Sequence, residues 1–336
     1  MLTKNNYQEI HRCLGVAKVI VVATHRRPDG DALGSLAAFS LIGLMAGWSL
    51  KLFGRPADVG RFDFLPLHNL ETDCLKQVFD FDVAWLTLDC ASVRRSELAE
   101  RILERRRGDV FVDIDHHPTL ESYADLSLRD ISAVATCEVL YDYCKANKIA
   151  INSTLATCLL TGIVTDTGNF LYSATNAHTF QMASELLKLG ARLDLIYEAS
   201  WRTKRPAALR LWGLALSRLT VFDDLAMTYL LPEDLILASE VDPLEDLAGF
   251  LSGLAGVKAI LLLKDEGLGE IKGSWRSVAP DFSVLALARV FGGGGHVKAA
   301  GFACNGKLLG DKEDLKVMTE SGIRMATEMF MIDAKD

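Results

Sequence analysis

The sequence predicts an α/β fold: a parallel-sheet N-terminal domain over residues 1–190, a helical connector over 191–220 and a smaller mixed α/β domain over 221–336. Three observations lead there. Short, largely β-branched apolar runs such as Val19–Thr24 and Val110–Ile114 have the length of buried strands in a parallel sheet. Longer apolar stretches with helical spacing separate them, the alternation expected of β-α-β units. The 336 residues also exceed what one ordinary core organises.

In chain order, Asn5–Cys13 reads as a short leading helix and Val19–Thr24 as the first strand. His25, Asp29 and Asp31 follow at once, with Pro28 and Gly30 turning the chain between them. A helical pattern then runs from Ala32 to about Gly47, and a strand follows at Ser49–Phe53. Residues 32–50 carry no charge and approach the length of a membrane span, but three glycines, three serines and the preceding Asp31 favour a buried helix. Gly54–Glu71 is an irregular connection, and Phe79–Thr87 a strand ending at Leu88-Asp89-Cys90. Ser96–Arg107 reads as an amphipathic surface helix whose terminal arginines suit the dipole. The strand Val110–Ile114 runs into Asp115-His116-His117-Pro118. Helical patterns cover Ser132–Asn147, Ile151–Val164 and Asn176–Gly190, with Gly190 as a C-cap. Beyond the connector, Leu225–Leu231, Lys258–Lys264, Leu268–Trp275 and Phe302–Cys304 read as strands, Asp281–Val290 and Asp311–Met331 as helices, and Gly292–Gly295 as a loop.

Half the residues are hydrophobic and 24% are charged, which marks a globular chain. A net charge of −8 argues against broad affinity for long duplex nucleic acid but leaves room for a small anion beside a metal. Seven cysteines without a CxxC pair fit a reducing compartment, and the N-terminus lacks the apolar core of a signal peptide, so a cytoplasmic protein is expected, with no membrane partner.

Candidate ligands gather at strand ends: His25/Asp29/Asp31, Asp89 and Asp115/His116/His117, with Asp166 after a buried helix. Parallel strand order would bring the first three to one edge of the sheet. Carboxylates mixed with imidazoles suit Mn²⁺ or a similar first-row ion. Carboxylates packed this closely would raise each other's pKa, so two cations are the simplest way to keep them ionised, and a two-metal site can clamp a phosphoryl group. Singly, His25 could be a turn residue, Asp31 a helix N-cap and Asp89 a strand-end cap.

A second constellation is Lys272-Gly-Ser-Trp-Arg276 followed by Phe291-Gly292-Gly293-Gly294-Gly295-His296-Val-Lys298. Four successive glycines indicate close approach by a ligand or another chain segment. Arg276, His296 and Lys298 add donors for a terminal phosphate or carboxylate; a flexible loop with solvated basic residues is the alternative. Trp275 reads as a core or domain-contact residue.

The motifs His25-x3-Asp29-Gly-Asp31-Ala-x-Gly34-Ser35, Asp89, Asp115-His116-His117 and Asp166-Thr-Gly168 resemble those of the DHH phosphoesterases, and Gly292–Gly301 resembles the glycine-rich motif of the associated DHHA1 domain. The resemblance spans about residues 15–305 and is nearest to the NrnA-like branch, oligoribonucleases that also act as 3′,5′-bisphosphate nucleotide (pAp) phosphatases. It implies two Mn²⁺ per chain, with Mg²⁺ as the alternative ion. One would be held by His25, Asp29 and Asp89, the other by Asp31, Asp89, His116 and Asp166. Asp89 would bridge, and His117 would contact the phosphoryl group or donate a proton to it. Arg276, Gly293, Gly294, Gly295, His296 and Lys298 would contact substrate. The implied partners are short single-stranded oligonucleotides or bisphosphate nucleotides, not long duplexes, and the implied assembly is a homodimer. Trp275 stands where the family pattern has leucine, and Ala135–Glu138 departs from its small hydroxyl residues; both bear on substrate preference. Rival readings are a DHH hydrolase of linear signalling dinucleotides or of inorganic polyphosphate or pyrophosphate, and a non-catalytic nucleotide-binding regulator.

Overall fold

A computed structural model describes residues 3–55, 59–71, 81–96, 98–119, 123–172, 174–201, 206–236, 247–279 and 281–330. The chain divides into two compact units, Met1–Thr203 and Lys204–Asp336.

The first unit is built on a six-stranded sheet of β1 (Ile20–Ala23), β2 (Leu50–Phe53), β3 (Leu70–Glu71), β4 (Ala84–Leu88), β5 (Val110–Asp115) and β6 (Leu126–Arg129). Their order is β3-β2-β1-β4-β5-β6, and every neighbouring pair is parallel. β1 and β4 are buried along their whole length, which is why both read as unbroken apolar runs. The chain builds outward from β1 through β2 and β3, then returns to place β4 on the other side. The strand order therefore reverses between β1 and β4, the place where open parallel sheets bind ligands outside the carboxyl ends of their strands.

Seven helices of this unit are described: α1 (Lys4–Val16), α2 (Gly30–Ala46), α3 (Ala99–Leu103), α4 (Thr136–Asn147), α5 (Ser153–Asp166), α6 (Ala177–Lys188) and α7 (Leu193–Trp201). The uncharged stretch 32–50 is explained by burial. Gly30–Phe39 of α2 lie inside on all faces, between the sheet and the α4/α5 layer, and Gly47 caps the helix at φ 71°. Among the described residues no helix is long and apolar enough to cross a membrane. Side chains of ordinary size would hold α2 and α5 apart. A Cβ on Gly34 would lie 2.7 Å from the Cys158 carbonyl oxygen, and one on Gly162 only 2.1 Å from Asp31 Oδ1.

Several expectations need correction. The surface helix Ser96–Arg107 shrinks to α3, because Ser96 instead forms an antiparallel bridge with His25. Arg105 lies beyond α3 and pairs with Asp125 at 3.0 Å. The connection Gly54–Glu71 contains a 3-10 turn and the short edge strand β3, and β6 had no counterpart in the sequence reading. Residues 79–80 of the expected third strand and 202–205 of the expected connector lie outside the described residues.

The second unit carries a mixed sheet of β7 (Thr220–Phe222), β8 (Leu225–Leu230), β9 (Ala259–Asp265), β10 (Glu270–Ser277), β11 (Gly294–Gly295) and β12 (Ala299–Asn305). Its order is β11-β12-β10-β9-β8-β7, with only β8 and β9 parallel. Trp275 is wholly buried in its core. Two further corrections fall here. The glycine run is not all loop, since Gly294 and Gly295 pair with Gly301 and Ala300 as β11. The helix expected over Asp311–Met331 is instead mostly the strands β14 (Lys316–Thr319) and β15 (Gly322–Met325), which pair antiparallel beside β13 (Lys307–Leu309). Leu315 and Val317 are buried while Lys316 and Met318 face outward, a period of two, and Gly322 turns at φ 126°. A 3-10 turn at Lys312–Asp314 and the α-helix Ala326–Phe330 are the helical parts of this stretch, and residue 331 lies outside the described residues.

Candidate metal centre

Every predicted ligand of the first unit lies at the carboxyl edge of its sheet or at the helix ends beside it. His25 follows β1. Asp29, not Asp31, is the N-cap of α2: its Oδ1 accepts from Asp31 N and Ala32 N at 3.1 Å each. Asp31 occupies the first turn of α2, fully buried, where Thr136 N and Cys137 N at the start of α4 donate to its two oxygens at 2.6 and 3.0 Å. The N-terminal amides of a helix are natural partners for a carboxylate. Asp89 follows β4 at φ 59°, a left-handed conformation that a non-glycine residue adopts only at a local cost. Asp166 closes α5, and the glycine contacts between α2 and α5 bring that end beside Asp31.

These side chains form two triads, His25/Asp29/Asp89 and Asp31/His116/Asp166, each with ligand atoms within 4.8 Å of one another. Asp89 stands between them. Its Oδ2 lies 3.7 Å from His25 Nε2, and its Oδ1 lies 3.6 Å from His116 Nε2 and accepts from Thr136 Oγ1 at 3.0 Å. His116 Nε2 is also 3.2 Å from Asp166 Oδ2, and His25 Nε2 is 4.0 Å from Asp29 Oδ2.

Asp115 joins a third group with Asp89, His116 and His117, yet both its oxygens are engaged by its own surroundings. Oδ1 accepts from His116 N, His117 N and His117 Nδ1 at 2.7, 2.9 and 2.8 Å; Oδ2 accepts from Ala91 N at 2.6 Å and pairs with Arg129 at 3.1 Å. Asp115 therefore orients His117. Arg129, at the end of the edge strand β6, ties this group down further. It donates to the His117 carbonyl and to Asp113 at 2.6 Å each, and it also donates to Tyr123 Oη. Thr87 and Tyr123 donate to the same Asp113 carboxylate.

The electrostatics are those of a cation site. Burial, followed by the charge of Asp166, pushes the Asp31 carboxyl up to about 7. Burial, followed by the charge of Asp31, holds Asp89 well above the usual carboxylate range. Burial alone would lower His116, but its hydrogen bond to Asp166 and the carboxylates around it carry it up to about 9. Burial likewise opposes the charge on His117 and on Asp115; their mutual hydrogen bond prevails, raising the one and lowering the other. Carboxylates that cannot all ionise beside one another, mixed with imidazole nitrogens, fit divalent cations of the Mn²⁺ type. The two clusters fit a two-ion Mn²⁺ centre.

In the second unit, Arg276 on β10 pairs with Ala299, and Ser277 N donates to the Lys298 carbonyl at 2.9 Å. Arg276, His296, Lys298 and Gly293–Gly295 thus share one end of the sheet. The glycines meet their own chain there: a Cβ on Gly293 would lie 2.2 Å from Gly301 O, and one on Gly295 2.5 Å from Ala299 O. Lys298 Nζ donates to Ser277 Oγ and to the carbonyls of Ala279 and Phe282, at 3.3, 2.6 and 3.3 Å. It clasps the loop after β10.

The residues that sequence reasoning gave no part in the site are Thr136, Asp113, Tyr123 and Arg129. The segment holding Thr136 stood out only as a departure bearing on substrate preference, whereas nothing local marks Arg129.

The family described as "DHH family, N-terminal domain" matches residues 19–163. Over 294 residues the chain is 32% identical to the bifunctional oligoribonuclease and PAP phosphatase NrnA of Thermus thermophilus, covering 85% of this chain and 84% of that protein. It is 26% identical to the NrnA of Bacillus subtilis over 301 residues, 87% of this chain and 91% of that one. A solved exopolyphosphatase-related protein from Bacteroides fragilis superimposes with a TM-score of 0.78 at 26% identity, covering 89% of this chain and 91% of its own. Two His/Asp clusters at the reversal point of a parallel sheet, and a likeness to NrnA over most of both chains, agree: this chain belongs to the DHH phosphoesterase family, in its NrnA-like branch.

Proposed function

We propose that the protein hydrolyses short oligonucleotides to mononucleotides and removes the 3′-phosphate of pAp, using two Mn²⁺ ions. His25, Asp29 and Asp89 would hold one ion; Asp31, Asp89, His116 and Asp166 would hold the other. The observation that carries this reading is Asp89, whose two oxygens face different imidazoles and so serve both clusters. When bound, the ions supply the Lewis acidity and charge neutralisation that phosphoryl transfer requires. Asp89 keeps the two halves in register, with Thr136 fixing one of its oxygens. His117 is the proposed proton donor to the leaving oxygen. Its Nδ1 faces Asp115 at 2.8 Å, which leaves Nε2 as the ring atom for the phosphoryl group.

In the second unit, Arg276 and His296 with Gly293, Gly294 and Gly295 are the proposed contacts for the substrate's far phosphate or base. Lys298 would contribute through the loop it clasps. The reading includes a homodimer, which light scattering tests. It also includes exclusion of long duplexes, which the net charge of −8 supports and a competition assay tests.

The deciding experiment compares turnover of pAp, a linear dinucleotide, a five-mer RNA and pyrophosphate, with Mn²⁺ and with Mg²⁺. The five-mer and pAp are expected to be the best substrates, with Mn²⁺ the better ion. Pyrophosphate as the fastest substrate would reject the proposal.

A further inference from the structure

Two loops border the metal centre side by side. The antiparallel bridge between His25 and Ser96 makes Arg26 and Arg95 the next opposed pair, and Arg26 N donates to the Arg95 carbonyl at 2.9 Å. Arg95 ends a 3-10 turn, Val93–Arg95, and this backbone bond holds the main chains of the two arginines side by side. Both arginines are exposed, and among the described residues neither side chain has a hydrogen bond or an ion pair. Elsewhere in the same unit arginines find carboxylates, as Arg105 does with Asp125, Arg129 with Asp113 and Arg192 with Asp194. Two exposed arginines on adjoining segments, each without an acid partner among the described residues in a chain of net charge −8, suit an anion.

Position narrows the anion. Arg26 follows His25, and Arg95 precedes Ser96, the residue bridged to His25. The loops also hold left-handed non-glycine residues at Arg27, Asp89 and Ala91, so the pair is anchored to the same strained turn that presents Asp89. We propose that Arg26 and Arg95 form a clip for a substrate phosphate outside the metal clusters, the next phosphodiester of a short oligonucleotide. The clip gives the first unit its own hold on oligomers. This inference rests on the oligonucleotide reading above.

The test is the affinity of a fluorescein-labelled five-mer RNA by anisotropy, for wild type, R26A, R95A, R26A/R95A and the neighbouring exposed control R94A, over a series of salt concentrations. Each single variant should weaken binding severalfold and the double variant about tenfold or more, with less than multiplicative effects because both arginines hold one group. The salt slope should fall by about 0.7 in the double variant, which loses one phosphate contact. R26K/R95K should recover part of the affinity, and R94A should match wild type. Wild-type affinity and salt slope in R26A/R95A would overturn the clip, as would a wild type that does not bind the five-mer. Hydrolysis is scored separately: a wild type that binds the five-mer but never cleaves it would sink the oligonuclease reading and leave the clip standing.

Discussion

The two motif-bearing regions hold their polar side chains in opposite ways. At the metal centre, Asp31 is buried beside the charge of Asp166 and Asp89 beside that of Asp31, and what holds them is a helix start and one hydroxyl: Thr136 N, Cys137 N and Thr136 Oγ1. The cluster is fixed in place but electrically incomplete. At the glycine-rich corner, donors are spent within the chain: Lys298 on three oxygens of the following loop, and Arg276 Nη1 on the Trp275 carbonyl at 3.0 Å. The glycines there admit a neighbouring strand. The difference teaches that one region is shaped to take up positive charge, whereas the other is first a piece of sheet that uses its donors on its own chain.

The sharpest way to break this contrast is to set Asp89→Ala against Arg276→Ala. D89A removes the carboxylate shared by both triads, so kcat should fall on the order of 10³-fold or more, with loss of bound manganese measured by elemental analysis. R276A should leave the manganese content intact and act mainly on KM. Equal losses of kcat with full metal in both variants would erase the distinction.

Next in size is the effect of removing the metal. Asp31 lies up to about 7, and Asp89 is also raised, so the metal-free native state binds protons that the unfolded chain has released. Stability from a raised carboxylate pKa is fully present below the unfolded value, about 3.9, and is lost as pH rises through the folded value. The metal-free protein should therefore become less stable as pH climbs from about 4 to 7, while manganese, which binds the ionised groups, becomes more stabilising. Melting with Mn²⁺ and with EDTA at about pH 5 and pH 8 should show a gap that widens by several degrees at the higher pH. A gap that narrows would mean these carboxylates do not bind the cation.

Arg129 tests whether orientation within the first region matters apart from ligation. R129A frees the His117 carbonyl and leaves Asp113 and Asp115 buried without their cation. Activity should drop roughly 10–100-fold with manganese content unchanged, and R129K should restore part of it. Full activity in R129A would confine the network to a structural role.

Why the ligands were legible and Arg129 was not follows from how each is encoded. His25, Asp89 and Asp115–His117 stand where a buried strand stops, and the end of an apolar run is visible in one dimension. The parallel order that joins those ends is a general property of such sheets. Arg129 depends on β6 lying beside β5, and a four-residue strand, Leu126–Arg129, with one fully buried position gives no periodic signal. Thr136 depends on where α4 starts, and the boundary read at Ser132 was four residues early. The glycine run was legible as a demand for close approach but not for whose: only the pairing with β12 shows that the approaching segment is the chain itself.

That last point yields the smallest predicted effect and the finest test of the contrast. Gly162 and Gly294 are both glycines beside candidate binding residues, and alanine should separate them. At Gly162 a Cβ would lie 2.1 Å from Asp31 Oδ1 and 2.4 Å from Cys137 Sγ, both rigidly held, so G162A should destabilise by roughly 1–3 kcal/mol and weaken manganese binding with it. At Gly294 nothing lies within 4 Å and φ is not left-handed, so G294A should change stability by less than about 0.5 kcal/mol, read from denaturant midpoints. KM for pAp then decides the use of the open space. A severalfold rise in a normally stable G294A would show that substrate fills the space beside β11, and this corner would join the metal centre as a site shaped for its ligand. An unchanged KM would leave the glycine serving only the edge of the sheet.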